Sequence, residues 1–169
     1  MNKYTIELAS QNDLKQILDI YNQAIIAKDN AIIEPIKYNT FVEDFSKRNL
    51  NQYPIFTYKV EGDVIGWISL SPYRSNRVAY RKLKEVSFYI DYDNLGKGIG
   101  SSMLKYILNN RNILSYDSLI AILVSDNEKS IKLLNKFEFE EWGFFPEVLD
   151  MQNKNSSVLI YGLNLRKGK

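Results

Sequence analysis

The 169-residue chain contains no cysteine and no histidine. Without cysteine there are no disulfides, no thiolate metal site and no thiol nucleophile. Without histidine the commonest general base and the commonest metal ligand are gone, and no metal is expected. Acid–base chemistry must fall to carboxylates, tyrosine, lysine or water. A large charge excess is also lacking: 22 Lys and Arg stand against 20 Asp and Glu, leaving +2. That is too weak to point to a nucleic-acid partner, which calls for a concentrated basic stripe. No apolar run approaches the roughly eighteen residues that signal a bilayer span, and Met1–Ser10 lacks the apolar centre of a signal peptide. The expected setting is the cytoplasm, with no membrane partner.

What is present is the material of a packed core. Hydrophobic residues make up 45% of the chain against 25% charged, which favours a folded globule. Its length suits one domain over residues 1–169, and no repeat, linker or low-complexity tract divides it. Tyr4–Leu8 alternates as a strand does. Ser10 or Asn12 can cap a helix whose apolar stripe is Leu14, Ile17, Leu18, Tyr21 and Ile25; Tyr21 reads as core. Pro35 breaks the chain before a second helix from Asn39 or Thr40, with Phe41 and Phe45 on one face. Ile55–Val60 and Val64–Ser71 read as strands joined at Glu61-Gly62-Asp63. Glu85–Ile90 is a further strand. Ser118–Val124 is continuous and apolar, as a strand buried on both faces is. Ser125 and Glu128 have capping-box spacing for a helix to about Phe137, and Glu140–Val148 and Val158–Leu165 close the chain as strands.

Leu95-Gly96-Lys97-Gly98-Ile99-Gly100 follows a strand and opens a helix. Glycines so closely spaced serve positive φ or close approach to a ligand, and the first amides of a helix form an anion site. A tight turn with no ligand is the alternative. The P-loop spacing is absent, and the dinucleotide fingerprint fails because Ser101 stands where its third glycine belongs. The basic run Arg74, Arg77, Arg81, Lys82 and Lys84 is either a solvated loop or a site for anionic groups.

Ser71-Pro72-Tyr73-Arg74, Ala79-Tyr80-Arg81, Glu85-Val86-Ser87-Phe88-Tyr89-Ile90 and the glycine turn stand in the order and spacing of the phosphinothricin acetyltransferase branch of the GNAT superfamily. Asp126-Asn127-Glu128-Lys129-Ser130-Ile131 is similar to a later segment of that branch, and the resemblance covers about residues 3–148. It implies an α/β GNAT fold, with helices flanking a mixed central sheet splayed between the strands at 85–90 and 118–124. It further implies acetyl-CoA as co-substrate, with pantetheine on main-chain groups of Phe88, Tyr89 and Ile90 and pyrophosphate on the amides of Leu95, Gly96, Lys97, Gly98, Ile99 and Gly100. Asn127 would bond the cofactor arm, and Ser130 would line the channel. The chain departs from the pattern at Leu95, where Gln or Arg is usual, at Leu134, where many members carry a tyrosine acid, at Glu138, and in Asn153–Ser157.

Acetyl transfer to an amine needs a base, a polarised carbonyl and a proton for the departing thiolate. Direct attack suits a chain with neither cysteine nor histidine. Glu85 is the candidate base; the alternative is a surface ion pair with Lys84 or Arg81. The Phe88 N–H is the candidate for the carbonyl by family likeness. Tyr80, Arg74 and Arg77 are the candidate substrate contacts, since a guanidinium grips a carboxylate with two bonds. Glu34 resembles a position lining the acceptor pocket. The expected acceptor is a small-molecule amine, an amino acid or its analogue; a peptide amine, or a non-catalytic acyl-CoA sensor, are the alternatives. Trp142, Phe144 and Phe145 are core or the face of a homodimer.

Overall fold

The structure is a computed structural model that describes residues 3–152 and 154–167; Asn153, in the segment singled out above, lies outside them. The period-two segments form β1 (Tyr4–Leu8), β2 (Ile55–Val60), β3 (Asp63–Pro72), β4 (Leu83–Ile90), β5 (Ser118–Val124), β6 (Glu140–Asp150) and β7 (Asn155–Asn164). The helical ones form α1 (Leu14–Ile26), α2 (Tyr38–Ser46), α3 (Ile99–Asn109) and α5 (Glu128–Lys136). Between α3 and β5 lies α4 (Arg111–Leu114), a single turn too short to show a periodic signal.

All seven strands join one sheet in the order β1-β2-β3-β4-β5-β7-β6. Every pairing is antiparallel except β4–β5, which makes the sheet mixed. That parallel pairing is short: Leu83 with Ser118, Lys84 with Leu119 and Glu85 with Ile120. By contrast β4 pairs with β3 from Lys84 to Ile90, and β5 pairs with β7 along its whole length. Past Glu85 the two central strands part, and this is the splayed α/β fold the resemblance implies. Helices cover both faces. On one side Leu14, Ile17 and Ile20 of α1 pack with Val64 and Trp67, with Phe41 and Phe45 of α2 beside them. On the other, Met103 and Ile107 of α3 and Leu134 of α5 pack on Ile68, Leu70 and Val86.

Some local expectations are corrected. β5 is buried on both faces as expected except at Ile122, which is 45% exposed beside the gap that β4 leaves. Helix α5 is capped by Asn127, whose Oδ1 accepts the Ser130 N–H at 3.1 Å, so it begins after the Ser125 of the expected capping box. Trp142, Phe144 and Phe145 are 43%, 52% and 48% exposed and are not core. The Glu61-Gly62 hairpin holds as read, with φ of +53° and +96°, both positive as a type I′ turn demands.

At the start of the first helix Ser10 donates to Asp13 Oδ2 from both its N–H and its hydroxyl, each at 2.8 Å. Asp13 is only 5% exposed, and its Oδ1 lies 2.7 Å from Lys59 Nζ. Burial pushes the Asp13 carboxyl up, but Lys59 and Ser10 outweigh it and hold the pKa below the usual range. Asp13→Ala should cost about 2–3 kcal/mol of stability at neutral pH, measured by urea unfolding. Because the folded pKa lies below the unfolded one, this contribution is complete above about pH 4 and fades as pH falls through the folded value. The gap between wild type and variant should narrow in that acid range.

Candidate functional site

Three hydrogen bonds settle what the parted edge of β4 presents. On the β5 side the Lys82 carbonyl accepts the N–H groups of Asp117 and Ser118 at 2.9 and 3.1 Å, and on the β3 side Asp91 N–H donates to the Ile65 carbonyl at 3.0 Å. Pairing of β4 with β3 is free of register shifts. Alternation therefore turns the main chains of Val86, Phe88 and Ile90 toward the gap and those of Ser87 and Tyr89 toward β3. Past Glu85 the gap side has no strand partner. Phe88 and Ile90 thus offer N–H and C=O groups to an occupant. Tyr89 enters the site by its ring, since its main chain faces Trp67.

Two adjoining cavities, of about 60 and 100 Å³, fill the opening. Ser87 and Phe88 of β4, Ala121 and Ile122 of β5, and Leu134 of α5 line the first. Ile90, Leu95, Tyr92, Lys129 and Leu133 line the second, and Asp29, Phe88, Tyr89, Asn127 and Ser130 are common to both.

The glycines of the turn serve two separate needs. Gly96 and Gly98 have φ of +77° and +80°, and a Cβ on either meets nothing within 4 Å, so the requirement there is conformational. Gly98 is the N-cap of α3 and leaves the first amides of that helix open to an anion. Gly100 is needed for space: a Cβ there would lie 2.7 Å from Leu133 Cδ2 and 3.2 Å from Ile90 Cδ1. Lys97 folds back over the turn, donating to the Asp93 carbonyl at 3.0 Å and Asn94 Oδ1 at 2.8 Å. Gly98 and Ile99, like Lys97, also border a separate cavity beside Tyr4 and Tyr58.

Glu85 sits where the strands part. Its carboxylate has no hydrogen bond or ion pair among the described residues, and burial raises its pKa. The expected alternative, a pair with Lys84 or Arg81, is not formed: Lys84 Nζ donates instead to the carbonyls of Gln52 and Leu114. On the same face of β4 as Glu85, two residues apart each time, stand Ser87 and Tyr89. The Tyr89 ring packs against Tyr21 and Trp67 with centroids 4.7 Å away in each case. Burial raises the pKa of Tyr21 and drives that of Tyr89 far above the usual phenol range, and the Glu85 charge adds to both. Tyr21 packs against the α1 core as expected, and α1 also places its phenol beside the Glu85 face of β4.

The remaining candidates are placed as follows. Asn127 lines both cavities but already uses its side chain, with Oδ1 on the Ser130 N–H and Nδ2 donating to the Asp29 carbonyl at 3.1 Å. Tyr80 and Tyr73 meet edge to face at 5.5 Å, and Arg74 lies 5.4 Å over the Tyr73 ring. These residues, with Arg77 and Glu34, are exposed or nearly so and line neither cavity of the gap. Asp29, Asn30, Tyr92 and Lys129 do line it and were not foreseen. The Asp29 carboxylate takes a hydrogen bond from the Tyr92 hydroxyl, and Lys129 Nζ lies 5.7 Å over the Tyr92 ring. Asn30 Oδ1 accepts the Ile32 N–H at 2.9 Å, while its Nδ2 is buried with no hydrogen-bond partner among the described residues.

An acyl-CoA fits these features. Free main-chain groups on β4 match the amides of an extended arm, the open amides of α3 match a diphosphate, and the orphaned Asn30 Nδ2 is a donor awaiting an acceptor.

Comparison with known proteins gives the same answer. Residues 6–156 match the acetyltransferase (GNAT) domain. The Bacillus subtilis protein YwnH, named for phosphinothricin acetyltransferase, is 36% identical over 95% of this chain and 99% of its own. An L-methionine sulfoximine/L-methionine sulfone acetyltransferase of Pseudomonas aeruginosa is 30% identical over 95% of this chain and 94% of its own. The crystal structure of a Sinorhizobium meliloti phosphinothricin acetyltransferase in complex with acetyl-CoA superposes with a TM-score of 0.88 at 27% identity, over 96% of this chain and 88% of that one. Parted strands, glycine turn and sequence agree: this chain belongs to the GNAT acetyltransferase family.

Proposed function

We propose that this acetyltransferase moves the acetyl group of acetyl-CoA directly onto the amine of a small amino acid or amino-acid analogue, with Glu85 as the base. The observation that carries this reading is an unpaired, partly buried carboxylate at the point where β4 and β5 part. Acetyl-CoA supplies a thioester already activated for attack. Phe88 N–H, aimed into the gap, would hold the carbonyl oxygen. Phe88 and Ile90 carbonyls and the Ser130 and Lys129 side chains would line the arm, and the α3 amides would hold the diphosphate. Glu85 would take the proton of the attacking amine directly or through water. Leu134 is fully buried and has no proton to give. The proton for the departing thiolate would come from water or a nearby tyrosine; Tyr21 and Tyr89 stand beside Glu85 with their phenols kept protonated by raised pKa values.

Relatives named for methionine sulfoximine and phosphinothricin support an acceptor with both an amine and a carboxylate. Arg74 and Arg77, exposed and without an ion pair among the described residues, would grip that carboxylate, with Tyr80 and Glu34 shaping the entrance. Exposed Trp142, Phe144, Phe145 and Val148 on the edge strand β6 support a homodimer formed across that edge.

Thiol release from acetyl-CoA across a panel of amino acids, their analogues and peptides tests the substrate class; turnover confined to peptides, or none at all, would refute it. Glu85→Gln should lower kcat/KM by about 10²–10⁴ with acetyl-CoA affinity unchanged. Since the base works deprotonated and its pKa is raised, the wild-type rate should climb with pH through a value above the ordinary glutamate range, and that limb should vanish in the variant. Gly98→Ala should weaken acetyl-CoA binding about tenfold by calorimetry, because strain of ~1–2 kcal/mol falls on the left-handed cap.

A further inference from the structure

The basic run between Arg74 and Lys84 is divided by the fold. Arg74 and Arg77 stay on the exposed loop after β3, whereas Arg81, Lys82 and Lys84 border a cavity of about 300 Å³ with Asn51, Gln52, Leu114 and Ser115. This cavity lies where β4 and β5 are still paired, and it shares no lining residue with the two cavities of the gap.

Lys84 is its unusual member. It is only 3% exposed, yet no carboxylate pairs with it among the described residues. Its Nζ donates to the carbonyls of Gln52 and Leu114, each at 2.7 Å, and lies 5.3 Å from the Tyr53 ring centroid. Two carbonyl dipoles and a ring face leave one of three ammonium protons unspent. A buried charge compensated only by neutral groups is costly. Burial, and then the charge of Lys82, lower the Lys84 pKa, which is the signature of a positive potential without a counter-charge. Lys82 Nζ is held at the rim by Ser115 Oγ at 2.6 Å, and Arg81 makes one long bond, 3.4 Å, to the Val78 carbonyl. The carboxylate nearest in sequence to the Lys82 partners, Asp117, is already taken by Arg111 and Arg166. Among the described residues no Asp or Glu lines the cavity.

We propose that this cavity binds a small oxyanion, phosphate or carboxylate, on Lys84 from within and on Lys82 and Arg81 from the rim, at a site separate from the acetyl-transfer gap. The amides of Asn51 and Gln52 add neutral donors. The ion would restore the missing negative charge and clamp the Asn49–Tyr53 turn against the loop before β5.

The test is calorimetric titration of the full chain with inorganic phosphate and, in a second arm, with succinate, both at ionic strength fixed with sodium chloride. With the α3 anion site filled by saturating acetyl-CoA, one ion should bind per chain, and the arm that binds more tightly names the source. Arg81→Gln with Lys82→Gln, two rim changes, should weaken binding at least about tenfold, the effect of losing charge-assisted bonds. Lys84→Met should abolish it; should that variant fail to fold, the rim pair decides alone. Heat no greater than that of chloride, unchanged affinity in the rim variant, or displacement of phosphate by saturating acetyl-CoA would each overturn the site. The thiol-release assay above reads the other site, so either reading can fail without the other.

Discussion

The structure turns on a pairing that stops. Strands β4 and β5 hold together at Leu83, Lys84 and Glu85 and then diverge, leaving main-chain groups of Phe88 and Ile90 with no strand beside them. Unpaired backbone polar groups in a half-buried setting are costly, so something must keep the strands from closing. Packing supplies it. The missing side chain of Gly100 lets α3 settle against Leu133 of α5 and Ile90 of β4, and Leu134 is buried against β4 residues on the same side. Across the mouth, Asn127 at the start of α5 donates to the Asp29 carbonyl, and the Asp29 carboxylate takes the Tyr92 hydroxyl. The gap is braced at both ends.

That bracing also orders the glycine turn. Gln23, near the end of α1, accepts the Tyr92 N–H at 3.0 Å and donates to Asp91 Oδ1 at 2.9 Å. Asn94 donates to the other Asp91 oxygen at 2.6 Å. The amides at the start of α3 are therefore aimed before any anion arrives, and little ordering cost is left for binding. The same helix α1 carries Tyr21 to the ring of Tyr89, so one element positions both the glycine turn and the side chains around Glu85.

Much of this was legible in the sequence, for identifiable reasons. Strands and helices with a long period showed themselves, and the spacing of Gly96, Gly98 and Gly100 predicted the turn because positive φ and close approach leave a compositional mark. The segment Glu85–Ile90 was readable as the open edge only through likeness to a family, since periodicity is blind to which strand lies alongside. Asp29, Asn30 and Tyr92 escaped notice because segments between the elements bring them to the first turn of α5, where Lys129 sits; Asn30 is oriented by an Asx turn that any Asn can make. The Ser125 capping box failed because the helix starts two residues later, where Asn127 offers its own oxygen to the Ser130 N–H and serves as the cap. Ile122 looked buried because a continuous apolar run does not report that one neighbour has departed.

The fate of Glu85 follows from the period of two. Lys84 and Glu85 are adjacent in sequence, and adjacent residues of a strand point to opposite faces, so the pair that a charge count suggests cannot form. Lys84 goes under the sheet to the Gln52 and Leu114 carbonyls; Glu85 lies on the face where the Tyr21 phenol of α1 meets Tyr89. Had the carboxylate met the ammonium, its pKa would fall and its basicity with it. Separation by the sheet does the reverse on each side: the carboxylate keeps a raised pKa and an unspent lone pair, and the ammonium keeps an unspent proton. One backbone alternation thus creates both the carboxylate proposed as base and the cation of the second cavity.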